Sequence, residues 1–469
     1  MNLTYNVKDK PSFGKLLVFA LQQLLAILAA TIVVPAIING NTAKLVEEGY
    51  NYTVSQLSPA AALFGAGVGT IVYLLFTRFK SPVFLGSSFA FLGSMTSAFA
   101  GAVSMQLGYF GLILGCVFGG LVYVVIALVV KFVGTKWIDK FMPAVVIGPT
   151  VAIIGLSLAG NAIGDLSGSG WLGILCGIVT LFVTIICSVF GKKLVKMIPF
   201  VIGIGAGYVL ATIFTLTGAA ELVPFEKFNN MEWVPHFTFI EALKFNDFTF
   251  GAFENMGAYI ASIAIAYIPV AFVVFAEHLA DHKNISSIIG TDLTKDPGLD
   301  KTLLGDGVGS MVGAFFGGAA NTTYGESIAT VAISGNASTL TILTTAIMAI
   351  VASFIGPFAT LLATIPSCVM GGVCIALYGF IAVSGLKMLQ KVDLGDNRNL
   401  FTASVILVAG VGSFVLIIGK VTLTAVAVAL ILGIIVNLIC SIGRGKEAKQ
   451  EKKTVDLDAE EAPKEADAE

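Results

Sequence analysis

The chain has 469 residues, 56% of them hydrophobic and only 12% Asp, Glu, Lys or Arg, a balance that excludes an ordinary soluble domain. A formal net charge of −2 says little about partners, because the charges sit between apolar runs, and it offers no basic excess for nucleic acid. The stretch from Ser81 to Val130 is uncharged and long enough for two crossings of a ~30 Å hydrocarbon core at ~20 residues each. The chain therefore reads as an all-α polytopic membrane protein.

In chain order, residues 1–14 lack the short apolar core and cleavage site of a secretory signal, which makes them a cytoplasmic tail and the first span the membrane-targeting signal. Fourteen apolar segments follow, centred on 15–38, 57–77, 82–100, 106–130, 141–161, 170–190, 198–217, 255–280, 303–320, 322–335, 338–362, 367–385, 400–418 and 421–441. The third and the tenth read as part strand, part helix. Basic residues set the orientation. With the N-terminus in the cytoplasm, Arg78/Lys80, Lys131/Lys136/Lys140, Lys192/Lys193/Lys196, Lys387/Lys391 and Arg444/Lys446 all fall on the inner side. Both termini are then cytoplasmic. Residues 218–254 form the long extracytoplasmic loop, and 442–469, charged and without apolar periodicity, form a disordered tail. All six cysteines lie in apolar runs and read as small buried hydrophobes.

An internal repeat relates the two halves, 15–217 and 255–441. Met142-Pro-Ala-Val-Val-Ile-Gly148 resembles Ile365-Pro-Ser-Cys-Val-Met-Gly371, and each opens the fifth span of its half. Phe84-Leu-Gly-Ser-Ser88 holds the place in the first half that Thr323-Tyr-Gly-Glu-Ser327 holds in the second. Seven spans per half is an odd number, so the halves cross in opposite senses. That is the 7+7 inverted-repeat design of secondary transporters, whose sites lie at broken helices near the midplane.

Charge then singles out two positions. From Gly307 to Leu386 the only Asp, Glu, Lys, Arg or His is Glu326, in Asn321-Thr-Thr-Tyr-Gly-Glu-Ser327. A charge at membrane depth is costly and marks a binding site or proton relay by default. Glu326 also follows an extended segment and starts a short helix, where backbone N–H groups have no intrahelical partner. The alternative is a carboxylate locked into helix packing. Glu277 ends the uncharged stretch from Asn255 to Ala276. In Phe275-Ala-Glu-His-Leu-Ala-Asp-His282, helical spacing puts Glu277 with Asp281 on one face and His278 with His282 on another. Solvent exposure at a helix end is the plainer reading for Asp281, His282 and Lys283. This spacing is not a zincin motif and no metal site is expected; no cofactor-binding motif appears either. Gly305-Asp-Gly-Val-Gly309 lacks the strand and acidic partner of a dinucleotide fingerprint, and no nucleophile–base constellation suggests an enzyme.

Buried carboxylates repel an anion. They suit a neutral planar molecule, because carboxylates accept from N–H groups while helix-terminal amides donate to carbonyls. A pyrimidine-dione such as uracil has that alternating edge. A carboxylate that passes between water and a closed state is also a natural proton carrier, since losing its water favours the neutral form.

The stretches Ala276-Glu-His-Leu-Ala-Asp-His282, Lys295-Asp-Pro-Gly-Leu-Asp-Lys-Thr302, Asn321-Thr-Thr-Tyr-Gly-Glu326 and Met370-Gly-Gly372 resemble the bacterial uracil permeases. These belong to the nucleobase–ascorbate (nucleobase:cation symporter-2) transporter family. The resemblance runs from Leu21-Gln-Gln23 to the last span. It implies a core domain of spans 1–4 and 8–11, a gate domain of spans 5–7 and 12–14, and proton-coupled uracil import across the cytoplasmic membrane. It further implies that Glu277 and Glu326 bond the base, with backbone amides at Gly325 and Phe89 and with Tyr324 and Tyr378 in or near the pocket. Glu277, His278, Asp281 and His282 are the candidates for moving the proton. Homodimerisation through the gate domain is also implied. Two departures bear on the proton route: Gln23 stands where many relatives have histidine, and Asp281 where some do. The alternatives are transport of xanthine or another oxopurine on the same fold, or an anion transporter of the same architecture.

Overall fold

The computed structural model describes residues 3–47, 49, 55–192, 194–244, 256–390, 392–418 and 421–442. The first half comprises α1 (Phe13–Glu47), α2 (Pro59–Phe76), β1 (Leu85–Ser87), α3 (Leu92–Ala100), α4 (Met105–Val133), α5 (Lys136–Phe141), α6 (Ala144–Ser157), α7 (Ala159–Ser167), α8 (Gly170–Phe190), α9 (Leu194–Met197) and α10 (Pro199–Leu216). After α11 (Thr238–Leu243), the second half comprises α12 (Met256–Ile289), α13 (Leu299–Gly317), β2 (Asn321–Thr323), α14 (Gly325–Ser334), α15 (Thr339–Ser353) and α16 (Gly356–Ala363). It ends with α17 (Ser367–Leu389), α18 (Asn397–Val411), β3 (Leu416–Ile418), β4 (Val421–Leu423) and α19 (Ala425–Ser441).

The expected segments do not appear as fourteen full-length spans among the described residues. Among the described residues eight helical spans are long and apolar enough to cross a bilayer, and α15 with α16, bent by 85°, makes a ninth. The rest are short, broken or polar. The third and tenth are the expected strand–helix segments, β1–α3 and β2–α14. The thirteenth segment ends sooner than expected: α18 stops at Val411, and Gly412 and the left-handed Ser413 (φ 54°) turn the chain out of the helix. The β-branched residues beyond pair as the β3–β4 hairpin, with Ile417 opposite Thr422. The expected tail beyond Ile442 and the loop at 245–255 lie outside the described residues.

Three pairs of equivalent segments of the two halves meet each other. The strands β1 and β2 run antiparallel, with Leu85 opposite Thr323 and Ser87 opposite Asn321. The second spans, α2 and α13, touch at backbone distance, and a Cβ on Gly65 would lie 2.3 Å from the Gly313 carbonyl oxygen. Small residues at four-residue spacing permit this approach. The fifth spans, α6 and α17, do the same, since a Cβ on Gly155 would lie 2.2 Å from the Tyr378 carbonyl oxygen. Pro143 and Pro366 cap these two helices, as the matched motifs predicted.

Packing sorts the helices into two groups. In the first, α2, α4 and α15 pack on α13, α12 or α1, and enclose β1, β2, α3 and α14; in the second, α6, α7, α8, α10, α17, α18 and α19 pack among themselves. The N-terminal segment joins the first group. Thr4 and Tyr5 donate to the Gly335 carbonyl at 2.7 and 3.1 Å, and Thr339 donates to Val7 O at 3.1 Å. This ties residues before α1 to the end of α14 and puts both on one face of the molecule.

The Gly65–Gly313 contact generates a test. Gly65→Ala forces α2 and α13 apart, an overpacking cost of about 1–3 kcal/mol. We expect a lower melting temperature in detergent than for Gly160→Ala, where a Cβ meets nothing within 4 Å. Equal melting of the two variants would show that the helices are not in backbone contact.

Candidate functional site

The site forms where the two broken spans meet. At bilayer depth non-helical backbone must be paired or covered. The β1–β2 ladder does this, extended by Tyr324 N–H to Phe84 O at 3.1 Å and Ser88 N–H to Ala320 O at 2.7 Å. Thr70 on α2 donates to Leu85 O at 3.3 Å and accepts from Leu85 N–H at 2.9 Å. Neither α3 nor α14 has a side-chain N-cap. Their first amides, at the positive ends of two half-helices, therefore lack a capping side chain from the N-cap residue.

Carboxylates gather beside these amides. Glu277, Asp281 and Glu326 are half-buried, Gly325 is exposed, and the charges of Glu277, Asp281, Glu326 and Asp306 lie close enough to interact. Glu326 folds back towards its own backbone N–H. Asp281 accepts from the Thr323 hydroxyl at 2.7 Å, which ties α12 to the end of β2. Gln23 on α1 braces the start of α14, donating to Ser327 Oγ at 2.5 Å and to Ser327 O at 3.2 Å. Ser327 Oγ also accepts from Phe84 N–H at 3.1 Å. No cluster of three metal-ligating side chains is present among the described residues.

The aromatic candidates take different places. Phe89 and Tyr378 meet edge to face, centroids 5.5 Å apart, so the site touches the second packing group through α17. Tyr324 lies against β1: its hydroxyl donates to Ser87 O at 3.0 Å, and its ring occupies the space a side chain at Gly86 would need.

His278 and His282 point the other way round α12. His278 Nδ1 shares a 2.7 Å hydrogen bond with Asp306 Oδ2, and Nε2 lies 3.1 Å from Thr302 Oγ1. His282 Nδ1 donates to the His278 carbonyl at 2.8 Å, and Nε2 shares a 2.7 Å bond with the Tyr73 hydroxyl. The two imidazoles stack at 3.9 Å. Both are fully buried, so the plain solvent reading fails for His282 and holds for Lys283, which is exposed. Asp306 is the site-adjacent residue that the motif reading passed over. It was weighed only as part of Gly305-Asp-Gly-Val-Gly309, yet a lone carboxylate in an apolar run carries the same signal as Glu326.

The chain finds matches among known proteins. Residues 14–419 match a family described as the permease family. The chain is 36% identical to the uracil permease of Bacillus caldolyticus over 443 residues, covering 92% of this chain and 94% of that one. It is 33% identical to the uracil permease of Escherichia coli K12, covering 97% of each. The chain belongs to this permease family. Among solved structures, the transmembrane domain of a cyanobacterium bicarbonate transporter superposes with a TM-score of 0.59 at 14% identity, covering 93% of the permease and all of that chain. Murine Solute Carrier 26 family member A9, an anion transporter in the inward-facing state, gives 0.60 at 11% identity, covering 93% of the permease and 69% of that chain. At such identities the likeness speaks for the fold alone.

The crossed strands of the permease can be tested at Gly86. A Cβ there would lie 2.3 Å from the Tyr324 ring, which is anchored at Ser87 and cannot swing away freely. Gly86→Ala should reduce both transport and thermal stability, by an overpacking cost of about 1–3 kcal/mol. Wild-type behaviour of this variant would mean that Tyr324 does not lie across β1.

Proposed function

We propose that the protein imports uracil across the cytoplasmic membrane in symport with protons, by alternating access. The observation that carries this reading is the pairing of half-buried carboxylates on α12 and α14 with uncapped amides at the starts of α3 and α14. A uracil edge alternates N–H donors and carbonyl acceptors, and it meets the reverse order here. On this reading Glu277 and Glu326 accept from the base, amides at Gly325 and Phe89 donate to it, and the Phe89–Tyr378 pair supplies an apolar wall. Tyr324 acts from behind, by holding β1 in place. The relatives' names support the substrate. The anion carriers sharing the fold do not bear on it, because clustered carboxylates would repel an anion.

The same reading puts both termini in the cytoplasm, with the N-terminal segment, the end of α14 and the Lys80–Asp296 pair (2.5 Å) on the inner face. That pair holds the Asp296 carboxyl below the usual carboxylate range, chiefly through the Lys80 hydrogen bond. Uptake of labelled uracil into proteoliposomes tests substrate and coupling together. An inward proton gradient should drive accumulation that unlabelled uracil abolishes and xanthine does not. Effective competition by xanthine would move the assignment to oxopurines.

Glu326→Gln should weaken uracil binding about tenfold to a hundredfold while the protein still folds. Glutamine turns half the acceptor edge into a donor facing a base N–H, a buried mismatch of about 1–3 kcal/mol. Calorimetric titration in detergent reads this directly, and near-normal affinity would remove Glu326 from the site.

For the proton we propose Glu277 as carrier, with Asp281 one turn on. An ionised Glu277 accepts from the base, but an empty, closed site deprives the charge of its water. The carrier therefore returns neutral. Release through His278 and His282 would require their present hydrogen bonds to be exchanged. Glu277→Gln mimics the neutral form permanently, so it should lose accumulation driven by an acid-outside pH step, whatever binding remains. If it still accumulates uracil against a gradient, Asp281 becomes the carrier.

A further inference from the structure

Hydrogen-bond chemistry and burial together constrain the proton count of the His278–Asp306 contact. The Thr302 hydroxyl has one hydrogen and two partners at 3.1 Å, the Leu299 carbonyl and His278 Nε2. Turned to the carbonyl, it accepts from a protonated Nε2. On the other side, Nδ1 and Asp306 Oδ2 are 2.7 Å apart, too close for a bare ring nitrogen to face a bare carboxylate oxygen. A proton lies between them. With Nε2 protonated, imidazole with carboxylic acid and imidazolium with carboxylate hold the same number of protons, and either way the pair is neutral as a unit. Its side chains are 0% and 1% exposed, a burial that a neutral, fully bonded pair tolerates and a lone charge does not. Tyr123, edge-on to the His278 ring at 6.0 Å, and the stacked His282 are the remaining titratable neighbours of the imidazole.

The pair joins two elements that each carry half of the site. Glu277 precedes His278 on α12. Asp306 lies on α13, which leads into β2 and α14 and so to Glu326. Ser310, one turn after Asp306 and within reach of its carboxylate, donates to the Asn321 carbonyl at the start of β2. A base recognised by Glu277 and Glu326 together needs their separation held to within about 0.5 Å. Among the described residues, Asp281–Thr323 is the side-chain hydrogen bond that ties α12 to β2.

We propose that Asp306 is a positioning residue for transport: through His278 it fixes the rotation of α12 about its axis, and so sets Glu277 against Glu326. This inference rests on the reading of uracil as substrate. It separates Asp306 from the proton path, because the proton it shares stays in the clamp through the cycle.

The test compares Asp306→Asn with Asp306→Leu in full-length protein. The asparagine amide can donate to Nδ1 of a neutral His278, so the link survives with one proton fewer. Leucine fills a similar volume but cannot bond. Asp306→Asn should keep uracil affinity within about threefold and keep pH-driven accumulation, whereas Asp306→Leu should lose about tenfold or more in affinity. Spin labels at the exposed Lys283 and Ala329 supply a readout that needs no substrate. Their distance distribution should broaden in Asp306→Leu and not in Asp306→Asn. If Asp306→Leu does not insert, Thr302→Val removes the weaker anchor and should give the same broadening in smaller measure. Unchanged distances and affinity in the non-bonding variants would overturn the clamp. So would Asp306→Asn binding uracil normally yet failing to accumulate it, which would make Asp306 a proton carrier. Should wild-type protein bind no uracil at all, the substrate reading falls while the label distances still decide the clamp.

Discussion

Two segments of non-helical backbone at bilayer depth set the terms for the rest of this structure. A broken span leaves N–H and C=O groups without partners, and hydrocarbon supplies none. The first break cannot satisfy itself, and neither can the second. Paired as β1 and β2, with Leu85 opposite Thr323, each satisfies the other. The pairing also brings two half-helix starts to one place, and with them the amides that make a polar site inside an apolar protein. Close packing elsewhere serves this crossing. The glycine contacts of α2 with α13 bring Thr70 within reach of the Leu85 backbone, and Gln23 on α1 secures the first turn of α14 through Ser327.

Charge in the site follows from that geometry. Carboxylates from α12 and α14 stand near the uncapped amides, and no Lys or Arg among the described residues is paired with them. The two faces of α12 divide the work. Residues 277 and 281 turn to the half-helix starts, while 278 and 282 turn into a packed polar layer with Asp306, Thr302 and Tyr73. A charge that can reach water and a charge locked in a neutral pair are thus one residue apart on the same helix.

Much of this was legible in the residues, for physical reasons. Glu326 stood out because a lone charge in an apolar run is costly, and the strand before it because Asn-Thr-Thr disfavours helix. The correspondence of α6 with α17 was legible from the matched motifs, whose Pro143 and Pro366 each cap one of these helices. Three things were not. The end of α18 at Val411 depends on a left-handed Ser413, which local apolarity conceals. Whether His282 was exposed or buried stayed open from its place near a helix end, since nothing in the sequence tells that Tyr73 comes to bond it. The link between His278 and Asp306 joins positions on separate helices, and helical spacing relates only residues on one helix.

The division of the site between the packing groups bears on how access could alternate. Glu277, Asp281, Glu326, Gly325 and Phe89 all belong to the group built on β1 and β2, whose internal ties are hydrogen bonds through backbone and buried polar pairs. The second group packs α6 and α19 on α12 and meets Phe89 through Tyr378, by an aromatic edge contact that carries no hydrogen bond to hold the two in register. Sliding an edge-on ring pair costs little, since such a pair is worth about 0.5–1.5 kcal/mol beyond its burial. Breaking the strand ladder would expose unpaired backbone at bilayer depth, at several kcal/mol for each group. The inequality favours movement of the second group as a body past an intact site over local rearrangement of the polar contacts. On the proposed reading, the ladder stays intact where the substrate is held while the ring contact gives way where access changes.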